Sequence, residues 1–163
     1  MKTLLLMRHA KSSWKDGDLA DHDRPLNKRG RRDAPRMGRL LREKGAVPDL
    51  ILSSTAKRAR KTAAKVLLEM GGSAVIELRP ELYDSDPAAC VAVLNEAYRD
   101  NACIMLVGHN PCFEILLTAL GRENHPLPTA SIARLELPVE SWRDLTLETQ
   151  GRLTDIWQPR ELD

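Results

Sequence analysis

The sequence contains no long hydrophobic run. The apolar segment closest to the N-terminus, residues 3–7, ends at Arg8 and is too short for the hydrophobic part of a signal peptide. No other segment approaches the roughly 20 apolar residues that a membrane-spanning helix needs. We therefore expect a protein that does not enter a membrane, and we place it in the cytoplasm.

Cysteine and aromatic residues are also scarce. The three cysteines, Cys90, Cys103 and Cys112, are odd in number and form no closely spaced pair. This usage argues against a disulfide framework and against a structural zinc site, and it favours a reducing compartment. Aromatic residues make up 4% of the chain, and none lies within the basic segment 27–44. Their absence there makes nucleic acid an unlikely ligand, because single strands are usually bound by stacking on aromatic rings.

The net charge of +2 is small, but it is distributed unevenly. Residues 24–44 hold nine basic side chains against two acidic ones, Asp33 and Glu43. Such a segment is either a solvated helix face or a surface that attracts phosphates, nucleic acid or an acidic protein partner. The length of 163 residues fits a single domain that covers the whole chain, 1–163.

Short apolar runs alternate with amphipathic segments along the chain. Apolar runs predict strands at 3–7, 48–53, 74–78 and 102–107, and helical spacing predicts helices at 27–44, 56–70, 87–99 and 112–120. Two final strands are expected at 130–137 and 152–157. This alternation is typical of an α/β protein, a three-layer α/β/α sandwich with a mostly parallel central sheet. We expect residues 102–107, the most apolar run, to form the central strand.

Some local features leave the element boundaries open. Pro35 falls inside the first predicted helix, which therefore either starts near Asp33 or is kinked at the proline. Tyr98 is spaced to lie on the inner face of the third helix. Trp142 and Leu145 are expected to pack between the last two strands.

Polar side chains follow three of the apolar strands. Arg8 and His9 follow the first strand, Ser53 and Ser54 lead from the second towards Arg58, and His109 follows the fourth. If these strands are parallel neighbours, their carboxyl ends meet at one crevice. The alternative is that His9 merely ends a strand and that Arg8 is solvated.

Two histidines and two arginines in one crevice suit phosphoryl transfer. Guanidinium groups bind the equatorial oxygens of the transferred group with paired hydrogen bonds, and Arg8 and Arg58 are the candidates for this role. His9 is the candidate nucleophile, since nearby guanidinium charges lower its pKa and favour the neutral ring. His109 would donate a hydrogen bond to an equatorial oxygen. No carboxylate cluster accompanies the histidines, so an oxyanion site is expected and a metal site is not.

Four segments occur in an order and spacing that resemble the histidine phosphatase superfamily, which has a phosphoglycerate mutase-like fold. They are residues 5–10 (Leu-Leu-Met-Arg-His-Ala), 23–30 (Asp-Arg-Pro-Leu-Asn-Lys-Arg-Gly), 53–62 (Ser-Ser-Thr-Ala-Lys-Arg-Ala-Arg-Lys-Thr) and 107–111 (Val-Gly-His-Asn-Pro). The short chain and Ala10 in place of a glycine resemble the small SixA-type phosphohistidine phosphatases. The resemblance implies a phosphohistidine intermediate on His9, with Arg8, Arg58 and His109 in the phosphate pocket and no cofactor or metal.

The resemblance also raises the question of a proton donor. Larger relatives carry an acidic residue after the third strand, and its nearest match here is Asp84, with Glu81 and Asp86 as weaker candidates. SixA-type members can lack that acid, and a phosphoramidate needs it less because an imidazole nitrogen takes up a proton readily. Ser12 and Ser13 follow His9 closely and either donate to phosphate or serve the turn.

Three functions are consistent with these residues. The first is a metal-independent phosphatase that removes phosphate from phosphohistidine on a signalling or phosphotransfer protein. The second keeps the mechanism but acts on small phosphomonoesters or nucleotides. The third is a polyanion-binding module that uses the basic segment 27–44 and needs none of the histidines, so that its affinity would fall steeply with salt.

Overall fold

A computed structural model describes residues 1–98 and 100–163. Its centre is one sheet of the strands β1 (Lys2–Arg8), β2 (Leu50–Ser53), β3 (Val75–Leu78), β4 (Cys103–Gly108), β5 (Ile132–Leu137) and β6 (Arg152–Trp157). The strand order is β3-β2-β4-β1-β5-β6. The first four strands in this order run parallel, whereas β5 and β6 are antiparallel additions at the other edge. The prediction of a mostly parallel sheet with a central 102–107 strand is confirmed.

Four helices cover the two faces of this sheet: α1 (Lys28–Glu43), α2 (Lys57–Met70), α3 (Pro87–Asn95) and α4 (Cys112–Gly121). The alternation of side chains along β1 divides the core. Leu5 and Met7 pack in a buried cluster with residues of α1 and α2, whereas Leu4 and Leu6 pack in a second cluster with residues of α3 and α4. The molecule is therefore the expected three-layer α/β/α sandwich.

Helix α1 begins at Lys28, earlier than the start near Asp33 that was one of the two alternatives. Asn27 caps it, because its side-chain oxygen accepts a hydrogen bond from the backbone N–H of Gly30 at 2.9 Å. Pro35 lies inside the helix that this cap starts. A helix start near Asp33 is therefore wrong, since the cap at Asn27 places the first turn before it.

Helix α3 ends earlier than its apolar spacing indicated. Its last residue is Asn95, and Tyr98 is 81% exposed, so the prediction of an inward-facing Tyr98 is wrong. The backbone tightens after Asn95, where the N–H of Glu96 donates to the carbonyl of Val93. The predicted end at Arg99 lies outside the described residues.

Trp142 and Leu145 do not lie between the last two strands, because β5 and β6 pair directly. Both side chains are buried in the cluster that contains residues of α3 and α4. The Asn95 side-chain amide donates to the carbonyls of Trp142 at 2.8 Å and Leu145 at 3.0 Å. These hydrogen bonds fix the segment after β5 against the end of α3.

The strand register brings the polar motifs to one edge of the sheet. Arg8 pairs with Gly108 across β1 and β4, so His9 and His109 follow at the same level of neighbouring strands. Ser53 of β2 pairs with Val107 on the other side of β4. The predicted meeting of three strand ends is confirmed. Within 1–98 and 100–163, no helix is both long and apolar enough to cross a membrane.

Candidate active site

The residues singled out by the sequence line one cleft at the carboxyl ends of the parallel strands. Arg8, His9, Arg58 and His109 all contribute to its wall, and its volume is about 480 Å³. The ring centroids of His9 and His109 lie 5.1 Å apart. The alternative in which His9 only ends a strand and Arg8 is solvated does not describe this arrangement.

His9 is held as a neutral ring with a defined tautomer. Its Nδ1 lies 2.7 Å from the carbonyl oxygen of Ala10, which can only accept, so Nδ1 carries the proton and Nε2 has the lone pair. Burial lowers the pKa of His9 to about 3, and the charges of Arg58 and Arg8 act in the same direction. At neutral pH the ring therefore presents an unprotonated Nε2.

His109 is positioned by Ser54, a fully buried residue. The Nε2 atom of His109 lies 2.8 Å from the Ser54 hydroxyl, which also accepts a hydrogen bond from the backbone N–H of Ala56. The Nδ1 atom of His109 is buried and has no hydrogen-bond partner among the described residues. Burial lowers the pKa of His109 to about 4, with a further contribution from Arg58. If the Ser54 hydroxyl donates to Nε2, the proton of this neutral ring is on Nδ1.

The two arginines are each held by acceptors of the surrounding loops. One terminal nitrogen of Arg8 donates to the carbonyl of Leu127 at 3.1 Å, and its Nε is buried with no partner in the described part of the chain. Arg58 donates to the backbone carbonyl of Asp21 at 2.7 Å and to the Asp21 carboxylate at 2.9 Å. A guanidinium group has five N–H donors, so both arginines retain donors for an anion.

Asp21 is a residue of the site that the sequence analysis missed. Its carboxylate accepts hydrogen bonds from the Tyr83 hydroxyl at 2.7 Å, from Arg58 and from Arg24. These contacts hold the pKa of Asp21 well below its usual range, with the largest effect from Tyr83. Arg58 is distant from Asp21 in sequence, and no local pattern connects the two residues.

Tyr83 connects the carboxylate to the histidines. Its ring meets His109 edge-on with centroids 5.7 Å apart, and it meets His22 edge-on at 4.7 Å. The position of Tyr83 beside the candidate acid Asp84 was its only sequence signal.

Of the three acidic candidates, only Asp84 lines the cleft. Glu81 instead pairs with Arg79 at 2.5 Å, and the side chain of Asp86 caps α3 by accepting from the N–H of Ala89. Asp84 itself adopts a left-handed backbone conformation with φ 49°. The carboxylates that line the cleft are therefore those of Asp84 and Asp21.

The two candidate serines differ in position. Ser12 lines the cleft, and its hydroxyl accepts a hydrogen bond from Arg24 at 2.5 Å. Ser13 is not among the residues of the cleft wall, and its hydroxyl accepts from the backbone N–H of Lys15 at 3.1 Å. Ser13 thus has the turn role that the sequence left open, and Ser12 is placed where it can reach a ligand.

A group of hydrogen bonds between helix α4 and the loop before β5 supports Arg8. The carboxylate of Glu114 on α4 accepts from the Asn110 side chain at 2.9 Å and from the backbone N–H of Leu127 at 2.8 Å. Asn110 also donates to the Leu127 carbonyl, which is the acceptor for Arg8. These hydrogen bonds hold the loop before β5 against the segment that carries His109.

The basic segment 27–44 is partly compensated by charges of the molecule itself. Asp33 is buried inside this surface and is 1% exposed. Four of its eight basic side chains pair with carboxylates of the described residues: Arg29, Arg32 and Arg36 pair with Asp33, Arg36 pairs also with Asp163, and Arg39 pairs with Glu69. This pairing reduces the positive potential that a polyanion would meet there.

Metal ligands are not grouped in the part of the chain described here. Within residues 1–98 and 100–163, no three His, Cys, Asp or Glu side chains lie together so that they could hold a metal ion. The positive charge of the cleft comes from Arg8, Arg24 and Arg58, with Lys11 also in its wall.

The family model described as the histidine phosphatase superfamily (branch 1) matches residues 4–90. The chain belongs to the histidine phosphatase superfamily. This histidine phosphatase is 35% identical over 152 residues to an uncharacterized chloroplastic protein of Arabidopsis thaliana, with 88% of this chain and 70% of the relative covered. It is therefore a phosphatase, and its substrate is phosphorylated.

Two solved structures are close in fold to this histidine phosphatase. SixA of Agrobacterium tumefaciens, a candidate phosphohistidine phosphatase, is 30% identical with a TM-score of 0.83, and the match covers 97% of this chain and 98% of that one. The protein histidine phosphatase SixA complexed with tungstate is 23% identical with a TM-score of 0.84, covering 99% of both chains. The second likeness concerns the fold alone. The first likeness, at 30% identity, confirms the SixA-type resemblance of the sequence motifs.

Proposed function

We propose that this histidine phosphatase removes phosphate from phosphohistidine on a signalling or phosphotransfer protein. The observation that carries the proposal is the pair of neutral imidazoles, His9 and His109, 5.1 Å apart in a cleft that also contains Arg8 and Arg58. The similarity to SixA of Agrobacterium tumefaciens supports the same substrate class.

In the first step, the lone pair on Nε2 of His9 attacks phosphorus in line with the bond to the substrate nitrogen. The new bond joins phosphorus to Nε2, and the bond to the substrate imidazole breaks. The departing imidazole nitrogen takes the electron pair of that bond and receives a proton from the solvent. The hydrogen bond from Nδ1 of His9 to Ala10 orients the ring and stabilises the charge that His9 gains.

In the second step, water attacks the phosphoryl group on His9. The bond from phosphorus to Nε2 breaks, inorganic phosphate leaves and the neutral imidazole is restored. In both steps the equatorial oxygens carry negative charge, which Arg8 and Arg58 stabilise with their remaining N–H donors. An N–H at Nδ1 of His109 would donate to one of these oxygens. Because the arginines supply the positive charge, we propose that the reaction needs no metal ion or other cofactor and continues in the presence of a chelator.

A trapping experiment tests the assignment of the nucleophile. A protein phosphorylated on histidine with labelled phosphate is mixed with the enzyme, the reaction is stopped in alkali, and the label is mapped by mass spectrometry. We expect label on His9, and we expect neither label nor turnover with His9→Ala. The matched control is His125→Ala, because His125 is a partly exposed histidine outside the cleft. Turnover that persists in His9→Ala would show that another residue is the nucleophile.

A second candidate function is hydrolysis of small phosphomonoesters or nucleotides by the same steps. The observation that favours it is the position of Asp84 in the cleft wall, because an ester oxygen leaves more easily when an acid protonates it. Comparing kcat/KM for a phosphohistidine protein with kcat/KM for a panel of phosphate esters and nucleotides distinguishes the two functions. A higher value for the esters would favour the second.

We also propose a cytoplasmic location. Cys90, Cys103 and Cys112 are odd in number and form no closely spaced pair in the sequence. This usage argues against a disulfide framework and suits a reducing compartment. Fractionation of cells that express the natural protein tests this proposal, and recovery from an organelle would contradict it.

A further inference from the structure

The cleft has an aromatic residue at its rim that the proposed chemistry does not use. Trp14 lines the cleft and is 74% exposed, although the sequence contains only six aromatic residues other than histidine (Trp 3, Tyr 2, Phe 1). Trp142, by contrast, is fully buried in the core. A ring exposed at the rim of a cleft is available to a bound ligand, and contact with that ligand would remove its apolar surface from water.

Trp14 is fixed by Arg24 from one side. The centre of the Arg24 guanidinium lies 3.1 Å from the centroid of the Trp14 ring. Arg24 is buried, and it donates to the Ser12 hydroxyl at 2.5 Å and to the Ser13 carbonyl at 3.2 Å. The exposed ring is therefore attached to an ordered hydrogen-bonded support, which lowers the entropy cost of using it in binding.

The exposure of Trp14 indicates the size of the ligand. His9 is only 8% exposed, so the phosphoryl group reacts inside the cleft, whereas most of the Trp14 surface lies outside it. Only a ligand that extends beyond the cleft can cover that surface. A phosphate ester with a small organic group offers little surface to cover such a ring, whereas the surface of a folded protein offers more.

We infer that Trp14 is a specificity-determining residue that packs against apolar side chains beside the phosphohistidine of a protein substrate. Tryptophan is enriched among the residues that dominate the binding energy of protein interfaces. The inference rests on the proposed function, and it adds that the enzyme binds the protein that carries the phosphohistidine and not only the phosphorylated imidazole.

The test compares two substrates, a histidine-containing phosphotransfer domain phosphorylated on histidine, and free phosphohistidine. The measured quantity is the ratio of kcat/KM for the domain to kcat/KM for free phosphohistidine. We expect Trp14→Ala to lower this ratio at least tenfold through a higher KM for the domain, and Trp14→Phe to restore most of it. Tyr98→Ala is the matched control, because Tyr98 is an exposed aromatic residue outside this cleft, and we expect it to leave the ratio unchanged.

Three results would overturn the inference. An unchanged ratio with equal losses on both substrates would mean that Trp14 only supports Arg24 and the loop. A loss confined to a nucleoside monophosphate, assayed beside the two phosphohistidine substrates, would mean that Trp14 stacks on a base. A wild-type enzyme that hydrolyses neither phosphohistidine substrate would overturn the proposed function as well, and this result is visible before any variant is compared.

Discussion

Asp21 and Arg58 form a two-point contact across the mouth of the cleft. Arg58 donates to the backbone carbonyl of Asp21 at 2.7 Å and to its carboxylate at 2.9 Å. The Tyr83 hydroxyl donates to the same carboxylate. The short segment that contains Asp21 thereby fixes the orientation of a buried guanidinium that we assign to phosphate binding.

Asp21→Ala removes one of the two acceptors of Arg58 and retains the backbone carbonyl. A hydrogen bond to a charged group contributes about 1.5–3 kcal/mol, and the half-exposed carboxylate of Asp21 reduces this to about 1–1.5 kcal/mol. We therefore expect KM to rise about fivefold to tenfold with kcat less affected, measured by steady-state kinetics. A lower KM in Asp21→Ala would instead mean that the carboxylate competes with the substrate phosphate for Arg58.

Ser54→Ala removes the hydroxyl that contacts Nε2 of His109 at 2.8 Å. Without it, the tautomer and orientation of the ring are no longer fixed, so we expect kcat to fall by about 10-fold to 100-fold while KM changes little. The shifts of the His109 nitrogens in NMR spectra should change at the same time. Ser53→Ala is the control, because Ser53 is equally buried but donates to the carbonyl of Ser54. Equal losses in both variants would mean a packing effect.

The buried histidines predict a particular pH dependence of stability. The pKa of His9 is lowered to about 3 from 6.5, so the unfolded chain binds more protons than the folded protein between these values. The free energy of unfolding therefore falls as the pH is lowered from about 6.5 to 3, by at most about 1.4 kcal/mol per pH unit for this residue. Urea unfolding at pH 7, 6, 5 and 4 gives the free energy of unfolding at each pH, and we expect it to depend less steeply on pH in His9→Ala than in the wild type. An identical pH dependence in the two proteins would mean that His9 is already protonated in the folded protein.

Asp84→Asn tests whether the cleft carboxyl acts as an acid. Because an alkoxide oxygen needs a proton more than an imidazole does, we expect kcat to fall at least 100-fold on alkyl phosphates and less than about fivefold on phosphohistidine. The comparison is made on one enzyme preparation with both substrates. Similar losses on both would mean that Asp84 positions the phosphoryl group or protonates both leaving groups.

Gly38 lies where the first two helices pack most closely. A Cβ atom there would fall inside contact distance of the backbone carbonyl of Val66 on α2. Gly38→Ala should therefore force the helices apart and lower the free energy of unfolding by about 1–3 kcal/mol. Gly17→Ala should change it by less than about 0.5 kcal/mol, because a Cβ at Gly17 would meet no atom within 4 Å. Chemical denaturation of the two variants provides the comparison.

Most of the fold was predictable because its signals are local. The strands that carry Arg8 and His109 are short apolar runs that stop at polar residues, and parallel pairing places such ends together. The prediction that Tyr98 faces inward was wrong because helical spacing continues in the sequence beyond Asn95. In the structure, side-chain contacts to the Trp142 segment hold the end of the helix at Asn95. The extent of a single domain over 1–163 stays a prediction.

The catalytic candidates were predictable because their sequence signals are also local. The residues that position them were not predictable. His9 and Arg58 occur in motifs, whereas Asp21 and Trp14 lie in the long connection between β1 and α1, where no periodic pattern constrains the chain. The contact of Asp21 with Arg58 depends on the path of that connection in three dimensions. Ser54 was noticed as a strand end, but its contact with His109 requires the pairing of β2 with β4.

The pairing of Arg8 with Gly108 has a consequence for how this molecule tolerates change. The backbone hydrogen bonds between β1 and β4 set the distance between the two imidazoles. One extra residue in either strand would turn its side chains towards the opposite helical layer. The connection after His9 has no such backbone pairing along most of its length. Changes around Trp14, away from Ala10 and Asp21, would alter which molecules gain entry while the reacting atoms keep their places.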